Sequence, residues 1–202
     1  VPLRCAVVES NEDSMAALCA ELCGGFALDC RPVFLPDRGP PPADGLRGAD
    51  LAVTTPYHAG AVRPLAAETG IPLLAVTANP DIAPTVERTL GEGVVNAVIA
   101  DPRFAERLRS AYAGTYGDRM RIVLADDPRA LAELDPSEPV LLTEAARRRV
   151  GERLGTSRLV PHSPCISTES ARELAELVIR LNAVRASRGH GTARDPGPVL
   201  AR

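Results

Sequence analysis

Lysine is absent: all 23 basic side chains in this 202-residue chain are arginine. Together with the abundance of alanine, proline and glycine, this points to a GC-rich coding bias rather than a surface selected for phosphate recognition. Basic charge is also outnumbered, 23 residues against 26 acidic, and the net charge of −3 carries no stripe or tail of one sign. The electrostatic footprint of a nucleic-acid binder is missing. No apolar run approaches the roughly 20 residues that span a bilayer, so no membrane partner is expected. No leader pattern opens the chain either. The opening "VPLRCAVVES" goes straight into an apolar run, as a piece cut at a domain boundary would.

Metal-ligand spacing is lacking too, as is a phosphate-binding loop of the Walker or dinucleotide type. Neither a metal nor a cofactor is expected. The five cysteines are odd in number; Cys5, Cys19, Cys23 and Cys30 fall in or beside apolar elements. They read as buried, reduced thiols and place the protein in a reducing cytoplasm. Cys165 stands apart, in a polar loop.

What is present is an ordinary globular composition, 45% hydrophobic and 24% charged, with enough chain to bury a core. Periodicity alternates between strand and helix. "LRCAVVES", "LDCRPVFLP", "ADLAVTT" and "IPLLAVTAN" read as strands, with helices at "NEDSMAALCAELCGG", "HAGAVRPLAAETG" and "IAPTVERTL". After the glycines at 91 and 93 the order restarts. Strands "VVNAVIAD", "RMRIVLAD", "PVLLTE" and "SRLVPHS" alternate with helices "PRFAERLRSAYAG", "AARRRVGERLG" and one from Ser167 onward. "DPRALAELDPSE" reads as a short connection. The pattern predicts an α/β fold of two pseudo-repeated, three-layer lobes with mainly parallel sheets facing a central cleft. The boundaries are 1–92 for the first lobe, 93–184 for the second with the C-terminal helix, and 185–202 for a flexible tail.

Ligands of open α/β sheets bind outside the carboxyl ends of the strands. In the first lobe those ends carry Ser10, then Thr54, Thr55, Tyr57 and His58, then Thr77 and Asn79. The second lobe offers Asp101 and Thr143, and the segment "PHSPCISTES" supplies Ser163, Cys165 and Ser167. These twelve are the candidate ligand-binding residues. Each hydroxyl or carboxylate also suits a helix N-cap, so capping is the rival role for every one. The start of the last helix is either a well-made cap on Ser167 or a site for a carboxylate or phosphate. Thr55, Tyr57, Asn79, Thr143, Ser163 and Ser167 are expected to share one pocket.

The segments "ADLAVTTPYHAGAVRPLAAETGIPLLAVTANP" and "VPHSPCISTESARELAELVIRLN" resemble the effector-binding domain of GntR-type bacterial transcriptional regulators. The resemblance covers about residues 3–184 and implies a periplasmic-binding-protein-like, cytoplasmic sensor. It implies a small-molecule effector in the cleft and a homodimer, with DNA reached only through a winged-helix domain that this chain does not contain. The lobed plan is also similar to the aspartate/glutamate racemase superfamily, whose two catalytic cysteines follow corresponding strands of the two lobes. Those places hold Thr54-Thr55 and Thr143-Glu144, and a threonine hydroxyl is too weak an acid to replace a thiol in proton transfer near neutral pH. The sequence therefore predicts a sensor of a small polar metabolite, with no catalytic residue and no enzymatic activity; the alternative is a racemase-like enzyme. A purely structural interaction module would leave the polar strand ends without a role.

Overall fold

The computed structural model describes residues 1–36, 41–155, 158–161 and 164–190. Its first sheet is built on β1 (Arg4–Glu9), flanked by β2 (Asp29–Phe34) and β3 (Leu51–Thr54), with β4 (Leu73–Ala75) outside β3. All its pairings are parallel. A central parallel strand is covered on both faces and must be apolar on both, which "CAVV" satisfies. Cys5 and Val7 enter one core with Leu18, Leu22 and Val53. Ala6 and Val8 enter another with Ala52, Val62 and Ala66. β2 lies at the sheet edge, which is why it tolerates Pro32 opposite Val7.

Helix α1 (Glu12–Phe26) starts where the Asn11 side chain accepts from the Ser14 N–H, with Glu12 and Asp13 in its first turn. It ends at Ala27, whose φ of 51° lies in the left-handed region. α2 (Pro56–Thr69) and α3 (Ile82–Glu92) follow β3 and β4. From α3 the chain passes through Gly93 into the second sheet. There β5 (Val95–Ile99) lies between β6 (Met120–Leu124) and β7 (Val140–Leu142), again all parallel. Val95, Ala97 and Ile99 pack on α3 and on α4 (Pro102–Tyr116) through Val86, Leu90 and Leu108. On the opposite face Val98 meets Ala146 and Val150 of α6 (Glu144–Val150). Two parallel sheets with helices on their faces thus form an α/β fold, as the alternating pattern implies.

Three local expectations need correction. The connection after β6 contains a short helix, α5 (Pro128–Ala132), because the Asp127 carboxylate accepts from the N–H groups of Arg129 and Ala130. The strand expected at "SRLVPHS" reduces, among its described residues, to one parallel bridge between Leu159 and Val140. The last helix, α7 (Thr168–His190), carries the apolar stripe legible in the sequence and packs back across the joint between the lobes: its Ala171, Leu174, Leu177, Val178 and Leu181 join the first sheet's core beside α1. α7 also continues into the segment expected to be a tail, whose residues 191–202 lie outside the described ones. Among the described residues no helix is long and apolar enough to cross a membrane.

Candidate functional site

In the first sheet the chain runs from β1 out to β2 and returns on the other side of β1 to β3. The crevice at such a reversal is where open α/β sheets hold ligands. Ser10 and Thr55 stand at its rim. In the second sheet the reversal lies between β5 and β7, where Ala100, Asp101 and Thr143 follow the strands. A cleft of about 280 Å³ is lined from both lobes, with Thr55 on one side and Thr143 on the other.

The lobes are tied together at the cleft floor. Asp13 is buried, and its carboxylate accepts from the N–H groups of Ala100 (3.0 Å) and Asp101 (2.8 Å) and from the Thr143 hydroxyl. An anion site at the second sheet's crevice therefore exists, and the protein fills it with its own carboxylate. In return the Asp101 carboxylate accepts from the Glu12 N–H at 3.0 Å. Arg149 of α6 reaches Glu12 of the first lobe, Asp126 of the second and the Ala100 carbonyl. Ala16, Ala100 and Ala145 make this approach close, since larger side chains would hold the elements apart.

The cleft walls are chiefly apolar, with Leu18, Ile82, Val86, Phe104, Leu141 and Leu159 among them. Thr55 donates its hydroxyl to Glu9 at 3.1 Å, so its oxygen is left to accept. Glu9 is fully buried and also accepts from the Ser10 N–H at 2.8 Å, while His58 Nε2 lies 3.3 Å away. Besides Asp13, charge at the cleft comes from Arg107, Glu144 and Arg147. Glu144 faces Arg148 at 3.2 Å and Arg147 at 3.7 Å. Arg107 donates to Ser14 Oγ at 2.9 Å and has no acidic partner among the described residues.

Four of the twelve candidate residues line this cleft: Thr55, Thr77, Thr143 and Cys165. Ser10 and His58 bond each other at 3.1 Å beside it. Of the others, Thr54, Asn79, Asp101 and Ser167 serve the fold. Thr54 is buried and donates to the Val8 carbonyl at 2.8 Å. Tyr57 is 87% exposed, because the first turn of α2 points it outward, edge-on to His58. Asn79 donates to the Pro164 carbonyl and accepts from the Asp81 N–H. Asp101 is taken up by the Arg103 guanidinium, which, as the chief cause, holds its carboxyl well below the usual range, at about 2. Ser167 caps α7 by accepting from the Ser170 N–H, and bonds Thr77 Oγ1 at 2.7 Å. Ser163, and His162 before it, lie outside the described residues. One pocket shared by Thr55, Tyr57, Asn79, Thr143 and Ser167 does not form.

The start of the last helix does meet an anion, but an internal one. The N–H groups of Cys165 and Ile166 both point to the Glu21 carboxylate of α1. Burial, and then that neighbouring carboxylate, push the Cys165 thiol far up. It is a poor source of thiolate. Sequence reasoning missed Asp13, Arg107 and Arg147. Asp13 reads as an ordinary first-turn acid, and in a chain whose every cation is arginine nothing marks two of them.

No family model matches the chain, and no curated protein matches it. Among solved structures it is similar to Escherichia coli glutamate racemase, crystallised with L-glutamate and the activator UDP-MurNAc-Ala. The identity is 12%, over 88% of this chain and 83% of that one, with a TM-score of 0.44. This finding corrects two expectations, the ligand-sensing effector domain of a transcriptional regulator and the absence of enzymatic activity. The neighbour is an enzyme, of the superfamily named as the alternative. A likeness at this level carries no assignment of reaction or substrate, which have to be sought in the cleft itself.

Proposed function

We propose that the cleft is the active site of an enzyme that binds a small carboxylic acid and moves a proton on it. The observation that carries this reading is the presence of Arg107 and Glu144 on one cleft, where the strand-end crevices of both lobes converge. Arg107 keeps guanidinium N–H groups beyond its bond to Ser14, and a guanidinium fork matches a carboxylate. Glu144 opens α6 on the same cleft, and its carboxylate is not enclosed by backbone N–H groups as that of Asp13 is. A carboxylate accepts a proton in its ionised form, and positioned acid–base groups contribute about 10²–10⁴-fold to rate. Thr55 and Thr143 donate hydrogen bonds to Glu9 and Asp13 and so fix the cleft's shape; the Thr55 oxygen is left to accept, while that of Thr143 already accepts from the Ala146 N–H. Cys165 takes no part, and no second thiol lines the cleft among the described residues. The reading is therefore a two-lobed proton-transfer enzyme that does not use the paired thiols of the racemases.

The test is exchange of the hydrogen next to the carboxyl group. A panel of small chiral acids is incubated with the protein in deuterium oxide and followed by proton NMR. Exchange that Glu144→Gln abolishes while ligand binding persists is the expected result. Acids that bind but never exchange would remove the enzymatic reading.

A further inference from the structure

We infer that the cleft selects a 2-substituted monocarboxylate with an aryl-sized apolar body and a neutral group, not an ammonium, at its second carbon. This rests on the active-site reading above and names the substrate class of the same site.

Charge decides the first half. An amino acid brings an ammonium group, which needs a carboxylate partner when it leaves water. The described part of the cleft wall holds two carboxylates, Asp13 and Glu144. Asp13 is enclosed by two backbone N–H groups and the Thr143 hydroxyl. Glu144 already faces two guanidinium groups. Asp13 is not left to neutralise an ammonium, and the charge of Glu144, the base in the reading above, is already offset by Arg147 and Arg148, whereas Arg107 stands without an acidic partner among the described residues. The balance favours one negative charge on the ligand. The Thr55 oxygen, its O–H directed to Glu9, can receive one neutral donor such as a hydroxyl.

Shape and polarity decide the second half. A cavity of about 150 Å³ lined by aliphatic side chains takes up benzene. This cleft of about 280 Å³ has room for a ring together with a carboxylate. Its apolar walls come from both lobes, Leu18 of α1 on one side and Phe104 and Leu141 on the other, joined there by Ile82 of α3, which packs on the second sheet. A ligand without an apolar body would leave them in water and forgo the larger part of the available contact.

The experiment uses two matched comparisons by calorimetric titration of the full chain. Mandelate and phenylglycine differ in a hydroxyl against an ammonium; mandelate and lactate differ in the ring. Mandelate is expected to bind about tenfold or more tighter than either. Arg107→Ala should weaken mandelate about tenfold. Ile82→Gln should weaken mandelate while leaving lactate unchanged. Arg107 is exposed and Ile82 half-buried, so both variants are expected to fold, which circular dichroism checks. Phenylglycine or glutamate binding as tightly as mandelate would overturn the inference, as would no binding of mandelate at all. Mandelate bound with these preferences but never exchanging its C2 hydrogen sinks the enzymatic reading and leaves the ligand class standing. Exchange on glutamate alone does the reverse.

Discussion

The Asp13 carboxylate, in the first turn of the first lobe's leading helix, accepts the hydroxyl of Thr143, the residue that caps α6 in the other lobe. One hydrogen bond thus joins the two strand-end crevices. Thr143→Val should cost about 1.5–3 kcal/mol, the range for a bond to a charged group. Asp13→Ala also strips the Ala100 and Asp101 N–H groups of their acceptor and should cost about 2–5 kcal/mol. The double variant should be little worse than Asp13→Ala alone, since both changes remove the same bond. Urea unfolding measures all three, and strictly additive losses would show that the two residues are not coupled.

Acid should weaken the fold partly through Asp101. Its carboxyl is held at about 2, against an ordinary 3.8, chiefly by hydrogen bonds from Arg103. A depressed carboxyl pKa stabilises the native state above the unfolded value, and that stability fades as pH falls from about 4 to about 2. Arg103 is half exposed, so solvent screening leaves about 1–2 kcal/mol. Unfolding free energies at pH 5 and pH 2.5 should therefore converge in Arg103→Ala relative to the parent chain. An identical pH slope in both would discount the pair.

Ala27→Gly should stabilise the protein. Ala27 is exposed and ends α1 in the left-handed region, a position glycine holds without strain. Relief of about 1–2 kcal/mol is partly offset by the freedom glycine adds to the unfolded chain, about 0.4–1 kcal/mol. A net gain near 0.5–1 kcal/mol should appear as a higher urea midpoint with unchanged slope.

Thiol labelling at pH 8 should mark Cys23 first. Cys23 is exposed, not buried as its apolar setting suggests, and although its thiol is also raised, burial pushes Cys19 up to about 12 and Cys165 far up as well. Mass spectrometry after brief iodoacetamide treatment reads the order, and early modification of Cys165 would mean that its loop opens. Cys165→Ala should leave hydrogen exchange on a bound acid unaltered.

Thr55 and Ser167 should separate in their effects. Thr55→Ala should weaken ligand binding by about 0.5–1.5 kcal/mol and, because it removes the donor to the buried Glu9 carboxylate, also cost about 1.5–3 kcal/mol of stability. Ser167→Ala should cost about 1 kcal/mol of stability as a lost cap and leave affinity alone. Titration and thermal unfolding of each single variant distinguish the two roles.

The sheets were legible because parallel strands leave an unmistakable mark: "CAVV", "LAV" and "NAVI" are short apolar runs ending in polar residues. Thr55, Thr77 and Thr143 could be placed at the cleft from the same rule, since each follows a strand. Asn79, Asp101 and Ser167 carry polar groups that the chain satisfies internally, and sequence does not say which partner a polar group will choose. Tyr57 fails differently: the first turn of α2 turns it out to solvent, and its place after a strand does not reveal which way it faces. Asp13 is the converse case. Its partners, Ala100, Asp101 and Thr143, lie some 87 to 130 positions away, and no local pattern foreshadows them.

The seat of α7 dictates the order in which the molecule can be completed. Its stripe of Ala171, Leu174 and Leu177 closes a core whose other wall is Cys5, Leu18 and Val53, contributed by the first third of the chain. During synthesis from the N-terminus that wall is made early and stays open to water while the whole second sheet is being produced. The second sheet, whose strands are contiguous from β5 to β7, has no such wait. The first lobe is begun first and finished last. Its unsealed face, in that interval, is the part of the nascent chain most exposed to aggregation or chaperone capture.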